Sequence, residues 1–109
     1  MLSKMKQCTT QEQTAKLIEL GFEKPTMKNI PTPDGEINEE WYSIGELLSF
    51  CPKEIDCNGF KNTLYIFINQ GAWDVEYSDF LGELYSTYRP ELIDAIFDIC
   101  VKLKEEGVI

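Results

Sequence analysis

The chain has 109 residues, 43% hydrophobic and 12% aromatic, with 19 acidic against 10 basic side chains and no histidine. Such a length suits one domain, residues 1–109, with a single unstapled core, and the apolar content excludes disorder. The net charge of −9 repels phosphate backbones and anionic lipid, so neither direct nucleic-acid binding nor membrane binding is expected, and without histidine the commonest general base and metal ligand is missing.

TTQEQTAKLIELGF predicts a first helix over residues 10–20. Thr9 and Glu12 have the spacing of a capping box, in which hydroxyl and carboxylate satisfy each other's backbone N–H groups. Ala15, Ile18 and either Leu17 or Phe22 form the apolar stripe. Gly21 ends the helix because a left-handed residue is needed there, and Phe22 is then placed to pack back on Leu17.

In EKPTMKNIPTPDGEINEEW, Pro25, Pro31 and Pro33 forbid a helix. PDG is a turn signal. Met27–Ile30 and Glu36–Trp41 read equally as short strands or as plain ordered loop. A single glycine, Gly35, does not make a phosphate-binding loop.

YSIGELLSFCP repeats the helix grammar. Ser43 and Glu46 form a second capping box, Tyr42 staples onto Leu47, and Pro52 holds the helix to residues 44–50. It should bury Ile44, Leu47 and Leu48, with Phe50 or Cys51 beside them. KEIDCNGF reads as a polar connector turning at Asn58-Gly59.

NTLYIFINQGAWDVEYSDF predicts a hairpin turning at Gln70-Gly71. Ile68 then faces Trp73, Ile66 faces Val75, and Leu64 faces Tyr77. All six share one face because side chains alternate along a strand. A one-residue slip would turn Trp73 and Val75 to the wrong side, so the pattern pins the register. FLGELYSTY can add a third strand.

RPELIDAIFDICVKLKEEGVI closes the chain as a helix. Pro90 suits its first position and Glu91 the positive end of the dipole. Leu92, Ile93, Ile96, Phe97, Ile99, Cys100 and Leu103 form a wide apolar stripe, which suits a helix lying across a sheet. Asp98 and Lys102 add an i,i+4 pair, and Gly107 ends the helix. The predicted fold class is α+β: an antiparallel two- to three-stranded sheet packed on one face by helices, in the order α-loop-α-β-β-(β)-α. The last helix, and with it the first, should cover the greasy face.

The other face of the hairpin carries Phe67 opposite Asp74 and Tyr65 opposite Glu76. Either another part of the chain, such as the Pro-rich segment, covers these rings while the acids stay at the rim, or they form an exposed aromatic strip ringed with acid. The second case predicts a protein partner of basic or amphipathic character, or self-association, through Tyr65, Phe67, Asp74, Glu76 and Trp41. The acids would then stand in for phosphate on a nucleic-acid enzyme.

The carboxylates Asp74, Glu76, Asp79 and Glu83 crowd one region. They suggest an alternative, a small ligand- or metal-binding domain or enzyme. Asp74 and Glu76 are two apart on a strand, however, which is the ordinary spacing of a polar face. No catalytic residue, cofactor or metal site is assigned. Cys8, Cys51, Cys57 and Cys100 include no C-x-x-C pair and read as reduced thiols of a cytoplasmic protein. MLSKMKQCTT lacks the apolar stretch of a secretory leader, and no run is long enough to span a membrane.

Three blocks, KQCTTQEQTAKLIELGFEKP, YSIGELLSFCPKEI and ELIDAIFDICVKLKEEGVI, together resemble a family of short proteins carried by bacteriophages and mobile elements of gut anaerobic bacteria. The likeness covers the start, middle and end of the chain, roughly half of it. It implies a small accessory protein of a mobile genome, with Met1–Lys4 as an extension ahead of Met5. The family brings no established activity, so no residue role carries over.

Overall fold

The computed structural model describes residues 7–25, 27–32, 35–79 and 81–109, those of 27–32 and 35–40 by backbone alone. The extension Met1–Lys4 and the Pro33-Asp34 half of the PDG turn lie outside the described residues. In chain order come α1 (Gln11–Glu19), β1 (Met27–Thr32), β2 (Gly35–Trp41), α2 (Ile44–Phe50), β3 (Glu54–Cys57), β4 (Phe60–Asn69), β5 (Ala72–Asp79), β6 (Gly82–Arg89) and α3 (Leu92–Glu105). The class is α+β, as the sequence predicts. The main sheet is antiparallel with four strands in the order β3-β4-β5-β6, where two or three were expected, and β1 and β2 pair separately.

The extra strand is β3. Its segment reads as a polar connector in the sequence, and only Ile55 of its four residues is buried. Backbone pairing rather than side-chain pattern makes it a strand: the two-residue turn Asn58-Gly59, both at positive φ, folds Glu54–Cys57 back onto Phe60–Thr63. The β4–β5 hairpin follows the same logic. Gln70 and Gly71 also have positive φ, 52° and 80°, as a type I′ turn requires. The register runs from Asn69↔Ala72 to Thr63↔Ser78 and pairs Ile68 with Trp73, Ile66 with Val75 and Leu64 with Tyr77, as the sequence predicts.

α1 ends as predicted. Gly21 sits at φ 98°, and the N–H groups of Phe22 and Gly21 donate to the carbonyls of Leu17 and Ile18. Its start is one residue later than expected. The capping box is Thr10 with Gln13, each side chain satisfying the other's N–H. Thr9 has the same spacing to Glu12, but its hydroxyl is buried and accepts from the Tyr42 N–H at 3.0 Å. Ala15 faces solvent, and Thr14 and Leu17 are the buried residues of the helix. Replacing the exposed Thr10 with alanine should lower the unfolding free energy by about 1 kcal/mol in a urea titration; an unchanged midpoint would contradict this cap assignment.

α3 lies on β5 and β6, and α2 packs on α3. Ile93, Ala95, Ile96, Ile99, Cys100 and Leu103 are fully buried with Leu17, Leu47, Tyr42, Val75 and Tyr77. α1 neighbours β2 and reaches α3 through Gln13 Nε2, which donates to Asp94 at 2.8 Å. The layer over the sheet is therefore chiefly α3, not α3 and α1 together. Glu91 is the N-cap of α3, which leaves Pro90 before the helix rather than in its first turn. Asp98 pairs with Arg89 at 3.0 Å and Lys102 with Glu106 at 3.2 Å, in place of the expected Asp98–Lys102 pair. Gly107, at φ 74°, closes the helix.

No two of the four cysteines are joined to each other. Cys51 and Cys100 meet in the core with sulfurs 3.6 Å apart. That contact, together with burial, pushes the Cys100 thiol well above its ordinary range. Beside them the Tyr77 hydroxyl donates to the Pro52 carbonyl at 2.6 Å, fixing the α2–β3 connection to the sheet.

Candidate functional site

Alternation on β4 and β5 puts Val75 and Tyr77 into the core and turns Asp74 and Glu76 outward. The cross-strand rows on the outer face follow from register. One row is Phe67–Asp74–Tyr88, and the next is Tyr65–Glu76–Ser86. Tyr65 is 50% exposed, Phe67 40% and Tyr88 48%. The shortest axis of the molecule is 17 Å, room for one sheet and one helix layer about 10 Å apart. The Pro-rich segment forms its own two-stranded sheet, whose β2 neighbours α1, and these rings keep their exposure.

The acids in these rows are not freely solvated. Asp74 stands between the Phe67 and Tyr88 positions, and the Tyr88 hydroxyl reaches past it to donate to the Asn69 carbonyl at 2.5 Å. One carboxylate oxygen of Asp74 is buried and has no hydrogen-bond partner. Burial, and then the charge of Glu83, raise its pKa above the ordinary 3.8. Burial and the charges of Asp74 and Glu83 likewise raise Glu76, against a Ser78 hydroxyl 3.5 Å away that favours its ionised form. The face thus holds a carboxylate oxygen without a donor beside exposed aromatic rings.

This strain has a sign. A carboxylate with a raised folded pKa favours the folded state while protonated, and that stability is lost as pH rises through the folded value. Asp74→Asn should therefore raise the urea midpoint relative to the parent at about pH 7, with the gap closing at about pH 3. A variant less stable than the parent at the upper pH would show that the Asp74 charge is satisfied.

Tyr65, Phe67, Asp74 and Glu76 are brought together as the sequence predicts. Trp41 is not part of these rows: it closes β2, in the other sheet, and its indole N–H is buried without a partner. The site gains Tyr88, which sequence reasoning missed, and the charge of Glu83, which the sequence already grouped with Asp74 and Glu76, acts on both. The signal for Tyr88 lay in the alternation of β6, legible only once its register to β5 was known.

Asp79 ends β5, at the turn into β6. Its Oδ1 accepts from the N–H groups of Leu81 and Gly82 at 2.7 and 3.1 Å, shaping the β5–β6 turn. It shares with Glu83 an open depression of about 290 Å³. Among the described residues no group of three metal-ligating side chains converges. No helix among them is long and apolar enough to cross a membrane. Comparison with protein-family models, curated proteins and solved structures finds no match.

Proposed function

We propose that this chain is a small non-enzymatic interaction protein, an accessory protein of a mobile genome, that docks a basic segment of a partner protein on its outer sheet face. The observation that carries this reading is the Phe67–Asp74–Tyr88 row, where exposed rings flank a carboxylate oxygen buried without a donor. Aromatic groups supply large contact area at interfaces, and a lysine or arginine of the partner supplies the missing donors. The net charge of −9 favours such a partner. Asp74 and Glu76 follow each other at about 6.8 Å along the strand, which suits acids replacing phosphates on a nucleic-acid enzyme. Docking a cation lowers their pKa again, so binding takes up no proton at neutral pH and weakens as pH falls. The test is affinity capture with the tagged chain, comparing the parent with Phe67→Asp: the partner is expected to be lost while the circular dichroism stays unchanged. Retention of the partner by the folded variant would remove this face from the account.

A second reading rests on the depression that holds Asp79 and Glu83. It makes the chain a small ligand-binding domain or enzyme, and it requires a thermal shift with a divalent cation or metabolite that Glu83→Gln abolishes.

A further inference from the structure

β3 covers only part of β4. Pairing ends at Glu54↔Thr63, and the Leu64 N–H, donating to the Lys53 carbonyl at 3.0 Å, is the last bond on that side among the described residues. β4 continues to Asn69. In an antiparallel strand alternate residues direct both backbone groups to the same neighbour. The outward bond of Leu64 and the two-residue turn closing on Asn69↔Ala72 fix the phase. Tyr65, Phe67 and Asn69 therefore face β5, while Ile66 and Ile68 aim their N–H and C=O groups away from it. Among the described residues no strand lies beyond them.

This edge lacks the usual protection. Natural edges are blunted by charge, proline, bulges or covering elements. The other edge, β6, has Glu83 and Arg89 near its ends, an irregular ladder at Tyr77/Ser78, and a Thr87 hydroxyl tied to the Ala95 carbonyl of α3 at 2.7 Å. NTLYIFIN, residues 62–69, has no charge, proline or glycine. Its open half is exposed on both sides: Tyr65 and Phe67 on the outer face, and Ile68, 63% exposed, on the face of the helices.

We infer that the open edge of β4, from Leu64 to Asn69, receives an extended strand of the basic partner and lengthens the sheet by β-strand addition. This rests on the proposed function and specifies how the partner binds. The incoming strand alternates basic and apolar residues. Its apolar side chains meet Ile66 and Ile68. Its arginines or lysines lie over the Tyr65 and Phe67 rings and point toward Glu76 and Asp74, which stand two strand spacings away, about 9.6 Å. A second copy does not fit. Its own Leu64–Asn69 segment brings no cation, and pairing two edges sets one charge of −9 beside another.

The test is amide hydrogen exchange on the full chain, with a synthetic peptide of about eight residues alternating arginine and valine as the probe. At saturation the Ile66 and Ile68 amides should exchange about tenfold more slowly, with Glu76 unaffected. Of two peptides N-methylated on alternate residues, one should lose this protection. Ile68→Pro removes only an outward N–H, so it should weaken peptide binding while leaving the thermal midpoint near that of Ile68→Ala. Peptide binding that perturbs the Tyr65 and Phe67 rings without slowing Ile66 and Ile68 overturns strand addition but leaves the docking face standing. No binding at all overturns both. Protection that appears in the protein alone and grows with its concentration assigns the edge to a second copy and overturns the inference.

Discussion

Ile96→Ala is expected to lower the unfolding free energy by about 3 kcal/mol, while Ile68→Ala changes it by less than about 0.5 kcal/mol. Ile96 lies on the buried face of α3 with no solvent exposure, in the layer that contains Val75, Tyr77 and Leu103. Truncation leaves a cavity there, and the cost adds lost transfer energy to lost contacts. Domains of this kind are stable by only about 5–15 kcal/mol, so the loss is a large share. Ile68 has the same side chain and lies on the core-facing side of β4 by alternation, yet it is 63% exposed because it projects past the cover of the helices. Urea titrations of the two variants measure the contrast directly. Equal effects would mean that α3 extends over the β4 edge and that no open edge exists.

The second large effect is on binding. Phe67→Asp should weaken partner capture by about 2–3 kcal/mol, more than tenfold, because it removes a ring from the centre of the patch and sets a second carboxylate opposite Asp74. The cost to folding should be small, about 1 kcal/mol for like charges directly opposite. Phe60→Asp is the matched control. Phe60 is on the same strand and 49% exposed, but its register places it on the opposite face, next to the Asn58-Gly59 turn. It should bind the partner as the parent does. Equal loss in both variants would point to general solubility rather than to a surface.

Much of this architecture is legible in the residues. Helix ends are, because Gly21 and Gly107 meet a local need for positive φ that hardly another residue supplies. The central hairpin is, because its turn and its alternation specify the same register independently. Two features were not. The cap at Thr9 or Thr10 is degenerate locally, as both threonines have an acceptable partner three residues on; the Tyr42 N–H, 33 positions away, decides between them. β3 was hidden because an edge strand held by backbone bonds needs no apolar alternation. With β3 unseen, its length was unknown too, and the open half of β4 could not be inferred. The candidate site divides likewise. Tyr65, Phe67, Asp74 and Glu76 follow from one hairpin. Tyr88 depends on a second register with a bulge in it, and Trp41 was assigned without any pairing to place it.

The central claim is that the rings of the outer face stand in solvent while Val75 and Tyr77, on the opposite face of the same sheet, do not. Relaxation of side-chain proton signals by a soluble paramagnetic agent measures this residue by residue. Strong relaxation of Tyr65, Phe67 and Tyr88, with Val75 and Tyr77 protected, is the predicted result. Protection of Tyr65 and Phe67 at the level of Tyr77 would contradict it.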